Sequence, residues 1–336
     1  MPHRTVVVAT HGHCLDGLCS AALFTRLLRH VEHGDHGRSG DLVFRYLSMG
    51  YGPGDSGVPP RLLDGDVNAI LDFRFSAAEN LTWYFDHHVS AFATPGERRV
   101  FEERAAGGRA ARAERHFHDG AYGSCTKLIA DIGAAQFGLD SAPVAELVRW
   151  ADMIDRAAFP SARMAVEKKE PVLKLMTVVE HGADAAFLSR FVPLLLEHGI
   201  EGVANLPEVR EAYVPYEEQQ AGFVRLVEGN AVKDGAAVLV DLSAHELDAG
   251  PKFVTYALFP ESAYSVVLTR SRKKCKISIG FNPWCGQTRT HDIAKICERH
   301  GGGGHPVVGA IALPPDPQST ARAVALAKDL ARELGQ

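Results

Sequence analysis

The fold is decided by the stretch Trp83-Tyr84-Phe85-Asp86-His87-His88-Val89, in which an apolar run stops at three adjacent polar groups. Three aromatic residues followed by Asp-His-His are typical of a buried strand whose C-terminal end opens into a site, the usual place for ligands in open α/β sheets. A surface turn with two incidental histidines is the alternative, and a motif this short does not exclude it by itself. The neighbouring segments supply the missing context.

The first predicted strand ends in a similar way. Val6 to Thr10 is a β-branched run that leads into His11-Gly12-His13-Cys14-Leu15-Asp16-Gly17, and a helical apolar pattern follows. The loop puts two histidines and an aspartate at a strand end, which is a layout typical of metal sites. In the alternative interpretation Asp16 only caps the helix, which leaves His11 unexplained.

Further carboxylates lie at the ends of other predicted elements. Val67 to Leu71 indicates a buried strand that stops at Asp72, and the helix predicted from Val144 to Ile154 carries Asp152 and Asp155 near its end. Because parallel strands point their C-terminal ends to one edge of a sheet, these groups can converge. Convergence suits a two-metal site, in which cations about 3.5 to 4 Å apart polarise a phosphoryl group and activate water as hydroxide.

The recurring order of strand, acidic loop and helix predicts an α/β protein with two lobes. The N-terminal lobe, residues 1–171, would have a mostly parallel sheet with flanking helices. A helical connector would cover residues 172–230, and a smaller C-terminal α/β domain with a mixed sheet would cover residues 231–336. Three local predictions accompany this scheme: a helix start at 76–79, an exposed charged loop at 95–115 and a strand at 253–259.

Composition limits the class of protein. Hydrophobic residues make up 46% and charged residues 23% of the 336 residues, as in folded soluble proteins. The net charge of -5 disfavours a protein that holds long duplex nucleic acid through a general basic field. The six scattered cysteines fit a reduced compartment, and the sequence lacks both a signal-peptide pattern and an apolar run of roughly 18 residues. We therefore expect a cytoplasmic protein without membrane contact.

Taken together, these motifs resemble those of a known family, the DHH phosphoesterases. The family is named for the triplet seen here as Asp86-His87-His88. The resemblance covers nearly the whole length. Its motifs follow the family's order: the loop from His11 to Gly17, Asp72, the triplet, Asp155, Arg270-Ser271-Arg272, and Gly301 to His305 in the DHH-associated C-terminal domain. Six matches in order are far more specific than any one of them.

The resemblance implies a centre of two divalent metal ions in the N-terminal lobe. Its ligands would be His11 and His13 on the first metal, Asp72 between the two metals, and Asp16, His87 and Asp155 on the second. Asp86 would orient a neighbouring imidazole, and His88 would face the scissile phosphate or leaving group as a hydrogen-bond donor or acid. Asp152 remains the alternative to Asp155, although the spacing from Asp155 to Phe159 resembles the family pattern better.

One position departs from the family pattern. Many relatives read His-x-Asp-Cys-x-Asp-Gly, whereas His13 stands here at the place of a carboxylate. Imidazole still ligates manganese, iron or zinc, but the first site loses a negative charge and suits magnesium less. We expect manganese, with iron, cobalt or zinc as alternatives. Cys14 and Cys19 are interpreted as small packing residues, because thiolates suit softer sites.

The glycine run has a structural and a functional interpretation. As structure, Gly301 follows a helix end and the other glycines form a turn. As function, glycines let backbone N–H groups approach a phosphate closely. The family signature favours the second interpretation, and it makes Gly303, Gly304 and His305 predicted substrate contacts. Arg270 joins them, because a planar guanidinium suits bidentate phosphate contact.

These features predict a metal-dependent phosphoesterase that acts on short oligonucleotides, linear dinucleotides or small nucleotide phosphates, in the manner of an oligoribonuclease or exonuclease. The partner would be a short single-stranded nucleic acid or a nucleotide, and a homodimer is one option for the assembly. An exopolyphosphatase-like hydrolase is the alternative within the same class. A catalytically weakened nucleotide-binding protein is the alternative from another class, motivated by His13.

Overall fold

The computed structural model describes residues 3–34, 41–51, 57–106, 115–247 and 253–336. Contacts within the chain divide it into two compact units. The first unit consists of Met1–Ala158 and Glu170–Tyr213, and the second of Phe159–Lys169 and Val214–Gln336. The sequence predicts three segments, with boundaries at residues 171 and 230. This division remains a prediction about domain organisation.

The elements alternate as expected for an α/β chain. The strands are β1 (Arg4–His11), β2 (Leu42–Met49), β3 (Val67–Leu71), β4 (Trp83–Asp86), β5 (Arg115–His118), β6 (Ala231–Asp234), β7 (Ala237–Glu246), β8 (Tyr264–Arg270), β9 (Cys275–Phe281), β10 (Gly303–His305) and β11 (Val308–Leu313). The helices are α1 (Leu15–Gly34), α2 (Pro95–Ala106), α3 (Cys125–Phe137), α4 (Ala145–Asp155), α5 (Ala162–Glu167), α6 (Pro171–Gly182), α7 (Ala185–Ala204), α8 (Pro207–Gly229), α9 (Val254–Leu258), α10 (Ile293–Glu298) and α11 (Pro317–Gly335).

The first unit is built on a five-stranded sheet in the order β2-β1-β3-β4-β5, and every pairing is parallel. The central strands β3 and β4 are buried along their whole length, which is the pattern of parallel strands covered on both faces. Val7, Ile70 and Tyr84 join Phe75 in one core cluster, and Phe101 of α2 packs against it. Helix α1 lies against α3, α4 and α7. The predicted parallel sheet with flanking helices is confirmed.

Two local predictions in the first unit are wrong. Residues 95–106 of the predicted charged loop form α2, because Thr94 and Glu97 make a capping box: Glu97 N donates to Thr94 Oγ1 and Thr94 N donates to Glu97 Oε2. The helix start predicted at 76–79 is absent. There the Ser76 hydroxyl accepts a local hydrogen bond from Ala78 N, which stabilises a turn in place of a helix.

The second unit contains a six-stranded mixed sheet in the order β10-β11-β9-β8-β7-β6. Only the pairing of β7 with β8 is parallel. Helix α11 covers one face through Ala323, Ala327 and Leu330, so the predicted mixed sheet is confirmed. The strand predicted at 253–259 is wrong: Phe253 has a φ of 63°, and this left-handed turn starts the short helix α9 instead.

Within the described ranges, no helix is both long enough and apolar enough to cross a membrane. The longest helices of the first unit, α1 and α7, instead pack against each other beside the sheet.

Candidate metal centre

The register of the first sheet brings three polar strand ends together. Thr10 pairs with Leu71, and Leu71 pairs with Phe85. The residues that follow these three positions therefore emerge side by side at the carboxyl edge of the sheet, as expected for an open α/β fold. They are His11, Asp72 and Asp86.

Asp72 leaves β3 in a left-handed conformation, with a φ of 53°. An aspartate tolerates this region better than most residues, because its short polar side chain can bond locally. The turn is fixed by Asp72 N, which donates to Phe85 O at 2.9 Å. The carboxyl group, only 1% exposed, is thereby held inside the edge of the sheet.

Asp16 enters the same edge from the start of α1. Its carboxylate accepts hydrogen bonds from Cys125 N (2.7 Å) and Thr126 N (3.0 Å), the first two backbone N–H groups of α3. These donors have no partner within their own helix, so a carboxylate there is stabilised. Asp16 therefore caps α3 and not its own helix. The Ser124 side chain supplies the N-cap of α3 by accepting from Lys127 N.

The triplet's middle residue faces all three aspartates. His87 Nε2 lies 3.4 Å from Asp72 Oδ1, 3.3 Å from Asp155 Oδ2 and 3.9 Å from Asp16 Oδ2. Its other ring nitrogen, Nδ1, lies 3.2 Å from Tyr122 O, which fixes the ring. Such an outer contact is the usual support of a ligating imidazole.

Geometry separates the two candidates of the fourth motif. Asp155 projects toward His87 at the C-terminal end of α4. Asp152, one turn earlier, instead accepts from Arg156 at 3.3 Å and from the Ser124 hydroxyl at 3.5 Å. The structure thus groups Asp155, and not Asp152, with the converging side chains.

Within the part of the chain that the structure describes, three groups of side chains place ligand atoms within 4.8 Å of one another. Asp72 belongs to two of the groups, and so does His87, so the groups form one continuous cluster. They are His11 with Cys14 and Asp72, Asp72 with His87 and His88, and Asp16 with His87 and Asp155.

The cluster passes a direct test of fit to cations. Both carboxylate oxygens of Asp72 and the Nε2 atom of His87 are buried and have no hydrogen-bond partner. Buried polar atoms are almost always paired, and an unpaired set calls for an explanation such as an ion. Carboxylate and imidazole atoms that point at a common space are donors for divalent cations. The donor set therefore fits a metal.

Burial and mutual repulsion shape the charges of this cluster. Burial, with the neighbouring Asp16, raises the pKa of Asp72 well above its ordinary value and that of Asp155 to about 6. Burial also lowers the pKa of His11, and His88 adds to that effect. Carboxylates crowded in this way are stabilised by a cation among them.

Asp86 lies against the ring of His88, one of its two neighbouring imidazoles. Its Oδ1 atom accepts from His87 N (2.8 Å) and His88 N (3.2 Å), and it lies 2.8 Å from His88 Nδ1. Its Oδ2 atom accepts from the Tyr84 hydroxyl at 3.0 Å. The hydrogen bond to Asp86 raises the pKa of His88. Asp86 therefore holds the His88 ring and the backbone of the triplet, whereas His87 is held by Tyr122.

The first loop presents its side chains in an unexpected order. His13 is exposed and has a left-handed φ of 58°. Among the residues that the structure describes, no group of candidate ligands contains it. Cys14, interpreted from the sequence as a packing residue, lies with His11 and Asp72 instead. Burial raises the pKa of the Cys14 thiol well above its ordinary value.

Sequence reasoning missed two supporting residues of the site. His118 ends β5, and its Nε2 atom lies 2.9 Å from His88 O. Tyr51, 44% exposed, has its ring centroid 5.0 Å from that of His11 and 4.6 Å from that of Phe73. The sequence leading to His118 does not show the alternating pattern of a strand. Nothing in the sequence therefore indicated that His118 ends a strand beside the site. For Tyr51, the sequence offers only an aromatic residue two positions after the end of β2.

The predicted substrate contacts lie in the second unit. Arg270 ends β8, and its Nε atom donates to Ser243 O at 2.7 Å. His305 and the adjacent glycines form the exposed strand β10, which pairs with β11. The turn before it closes the end of α10: Gly301 has a φ of 74°, and its N donates to Glu298 O. Gly301 is thus a helix-terminating residue, which agrees with the structural interpretation of the glycine run.

The glycines of the turn are not equivalent. A Cβ at Gly302 would lie 2.2 Å from Ala310 O, and one at Gly304 would lie 2.3 Å from Val308 O. A Cβ at Gly303 would meet nothing within 4 Å. The fold therefore requires glycine at 302 and 304, while at 303 a bare backbone is not needed for packing.

No family model and no curated protein matches the sequence. Among solved structures, the chain is similar to a pGpG-specific phosphodiesterase, PggH from Vibrio cholerae, with 16% identity, 98% of each chain covered and a TM-score of 0.63. It has a weaker likeness to an exopolyphosphatase-related protein from Bacteroides fragilis (13% identity, 99% and 94% covered, TM-score 0.48). RecJ from Thermus thermophilus, in complex with Mn²⁺, is weaker still (12% identity, 98% and 52% covered, TM-score 0.46). The likeness to PggH, which covers 98% of each chain, shows a shared fold.

Proposed function

We propose that this protein is a metal-dependent phosphoesterase of the DHH family. The observation that carries the proposal is the buried Asp72 carboxylate, whose two oxygens lack hydrogen-bond partners at the centre of a cluster of imidazole and carboxylate groups. The triplet at 86–88 and the fold shared with a phosphodiesterase support the same conclusion. A structural cluster alone would pair these atoms with protein donors.

The proposed ligands fall into two adjacent sets. Asp16, His87 and Asp155 would hold one cation, and His11 would hold the other together with Asp72, which is close to both sets. The role of His13 as a ligand of the first cation remains a prediction from the sequence. Divalent ions held by these residues would polarise a phosphoryl oxygen and lower the pKa of a water molecule.

His88 is the proposed proton donor. Its Nδ1 atom is engaged by Asp86, and this hydrogen bond favours the protonated ring. The Nε2 atom is then the donor that can meet the charge developing on the leaving oxygen. Asp86 holds the ring in that orientation.

The proposed substrates are linear dinucleotides first, then short oligonucleotides and small nucleotide phosphates. PggH, whose fold this chain shares, is specific for pGpG. The net charge of -5 opposes binding of long duplexes and leaves short anionic ligands, held by a few local groups. Arg270, Gly303, Gly304 and His305 are the proposed contacts for such a ligand.

The metal is proposed to be manganese, with iron, cobalt and zinc as alternatives. Imidazole nitrogens among the carboxylates favour these borderline ions over magnesium, which prefers an all-oxygen environment with several waters. The proposed enzyme would act in the cytoplasm, in keeping with the unpaired cysteines.

A substrate screen with a matched pair of variants tests the proposal. The wild-type protein with manganese is given linear dinucleotides, short RNA and DNA, phosphoadenosine phosphate and polyphosphate. We expect the fastest turnover on dinucleotides, near-complete loss in Asp155→Asn, and activity close to wild type in Asp152→Asn, its neighbour on the same helix. Preferred turnover of polyphosphate would favour the exopolyphosphatase-like alternative. Tight nucleotide binding without turnover in manganese, cobalt, iron or zinc would overturn the proposal in favour of a binding protein.

A further inference from the structure

In the loop after β1, the side chain that faces the cluster is a thiol, although a carboxylate or an imidazole is expected to face it. Cys14 Sγ, a nitrogen of His11 and an oxygen of Asp72 all lie within 4.8 Å of one another. The adjacent His13, at the position that the family pattern reserves for a ligand, is exposed. Of these two neighbours, Cys14 faces the cluster and His13 faces solvent.

The path of the loop is tightly determined, which gives this arrangement weight. Gly12 is buried, its N donates to Met49 O at 2.6 Å, and a Cβ there would lie 2.1 Å from Ser48 Oγ. A Cβ at Gly17 would lie 2.2 Å from His11 O. Between these two close approaches the left-handed φ of His13 turns the chain, and the Cys14 carbonyl then accepts the first backbone hydrogen bond of α1, from Leu18 N. Moving His13 inward would require this packed loop to rearrange.

The space in front of Cys14 is polar and unsatisfied. Asp72 is 1% exposed, and neither of its carboxylate oxygens has a hydrogen-bond partner. A cysteine that served only as packing would face apolar groups, as a small buried hydrophobe does. Here the thiol faces a carboxylate and an imidazole, which are the companions of cysteine in mixed sites for borderline metals.

We propose that Cys14, and not His13, is the third protein ligand of the cation held by His11 and Asp72. When the S–metal bond forms, the thiol proton passes to solvent and no redox change occurs. This position then takes thiophilic cations such as zinc, cobalt(II) or iron(II) more tightly than manganese or magnesium. The inference rests on the proposed metal centre and specifies its first position.

Cobalt(II) loading gives a readout that is independent of activity. A thiolate bound to cobalt(II) produces a sulfur-to-metal charge-transfer band in the near ultraviolet, which oxygen and nitrogen ligands do not. We expect the band in the wild-type protein loaded with cobalt(II), and we expect it unchanged in His13→Ala. It should vanish in both Cys14→Ser and Cys14→Ala, with cobalt binding at one position weakened about tenfold or more, since even indirect supports of a ligand contribute that much.

Cys285→Ser is the matched control, because Cys285 is the other cysteine that is only partly buried. This variant should keep the band. Circular dichroism and thermal melting of the metal-free variants establish that each is folded, and two substitutions at Cys14 guard against loss through misfolding. A band retained in both folded Cys14 variants overturns the inference, as does cobalt affinity lost in His13→Ala.

The result also separates this inference from the proposed function. Two cobalt ions bound without a charge-transfer band, together with phosphoester hydrolysis, would refute the thiolate ligand and leave the phosphoesterase intact. Failure to bind cobalt, manganese or zinc at all would refute both. A band that follows Cys14, in a protein that turns over no phosphoester, would support the ligand and refute the enzymatic function.

Discussion

The carboxyl edge of the first sheet and the glycine turn of the second are both predicted from the sequence to be functional, yet they satisfy their polar groups differently. At the sheet edge, Asp72 and His87 carry buried atoms without partners. At the turn, Gly301 and Gly302 donate to the end of α10, and β10 pairs with β11. An unsatisfied buried cluster indicates a ligand by itself, whereas an exposed turn that is hydrogen-bonded to α10 and β11 does so only through resemblance.

Removing the central carboxylate has the largest expected effect. In Asp72→Asn the amide keeps the size and tolerates the left-handed φ, but the site loses the charge shared by both ligand sets. We expect activity to fall by about 10³-fold or more, because the metals no longer stabilise the charge that develops on the phosphate. Steady-state kinetics with manganese, together with metal analysis, measure this.

The same variant has a second signature, in stability. The carboxylate oxygens of Asp72 are buried without hydrogen bonds, so the metal-free wild type carries a desolvation cost that the neutral amide reduces. The unfolding free energy of the metal-free variant should therefore equal or exceed that of the wild type in denaturant titration. A variant that loses stability and activity together would make Asp72 a structural residue.

His88 tests whether the triplet contains a proton donor or a further ligand. Its Nδ1 atom also lies 3.7 Å from Asp72 Oδ1, so the geometry allows either role. In His88→Asn the amide keeps a donor toward Asp86 but lacks the Nε2 atom. We expect kcat to fall about 10²- to 10⁴-fold, the usual contribution of a positioned acid, while both metals stay bound. Loss of one equivalent of metal in parallel with kcat would instead make His88 a ligand.

His116 is a buried titratable group that stands apart from the cluster, and it tests the importance of clustering. It lies on β5, 6% exposed, among the rings of Phe75, Tyr84 and Phe101. Burial, with Arg104 nearby, lowers the pKa of His116 from 6.5 to about 4. We expect it to report only on stability, without any contribution to metal binding.

The sign of the pH effect follows from this shift. Between pH 6.5 and about 4 the unfolded chain binds a proton at His116 and the folded chain does not, so acid favours unfolding. The contribution is fully present above pH 6.5, and it declines by about 1.4 kcal/mol per pH unit below that. His116→Phe should flatten the stability profile by this amount relative to wild type, whereas the exposed His245→Gln should not. Equal slopes in all three proteins would refute the assignment.

The sequence predicts those parts of the site that depend on strand ends. The buried runs before His11, Asp72 and Asp86 are strongly apolar, and parallel pairing then forces the residues that follow onto one edge. The central strand β3 lies at Val67–Leu71, as predicted, because its residues are aliphatic apart from Asn68 and the run stops at a carboxylate. These features are local patterns with one geometric consequence.

Side-chain direction within loops could not be predicted in this way. Whether Cys14 or His13 faces the cluster depends on one left-handed φ and on two glycines packed against distant backbone. From the sequence, Asp16 could either cap its own helix or bind a metal. In the structure its carboxylate accepts a hydrogen bond from the start of a different helix, α3. Helix α2 was missed because a capping box outweighed its charged composition.

The smallest expected effects come from the glycine turn, where a matched pair sharpens the comparison. Gly304→Ala would place a Cβ 2.3 Å from Val308 O at a φ of 156°, so we expect it to destabilise the fold by about 1 to 3 kcal/mol. Gly303→Ala meets no protein atom, so its unfolding free energy should change by less than about 0.5 kcal/mol.

If backbone N–H groups of this turn bind a phosphate, the added methyl group hinders that approach, and KM for a dinucleotide should rise about three- to tenfold with kcat unchanged. Unchanged KM in Gly303→Ala would mean that this glycine has no role at all, in the substrate or in the fold. The turn would then be a helix end and a hairpin, and substrate recognition would have to be sought at the other predicted contacts.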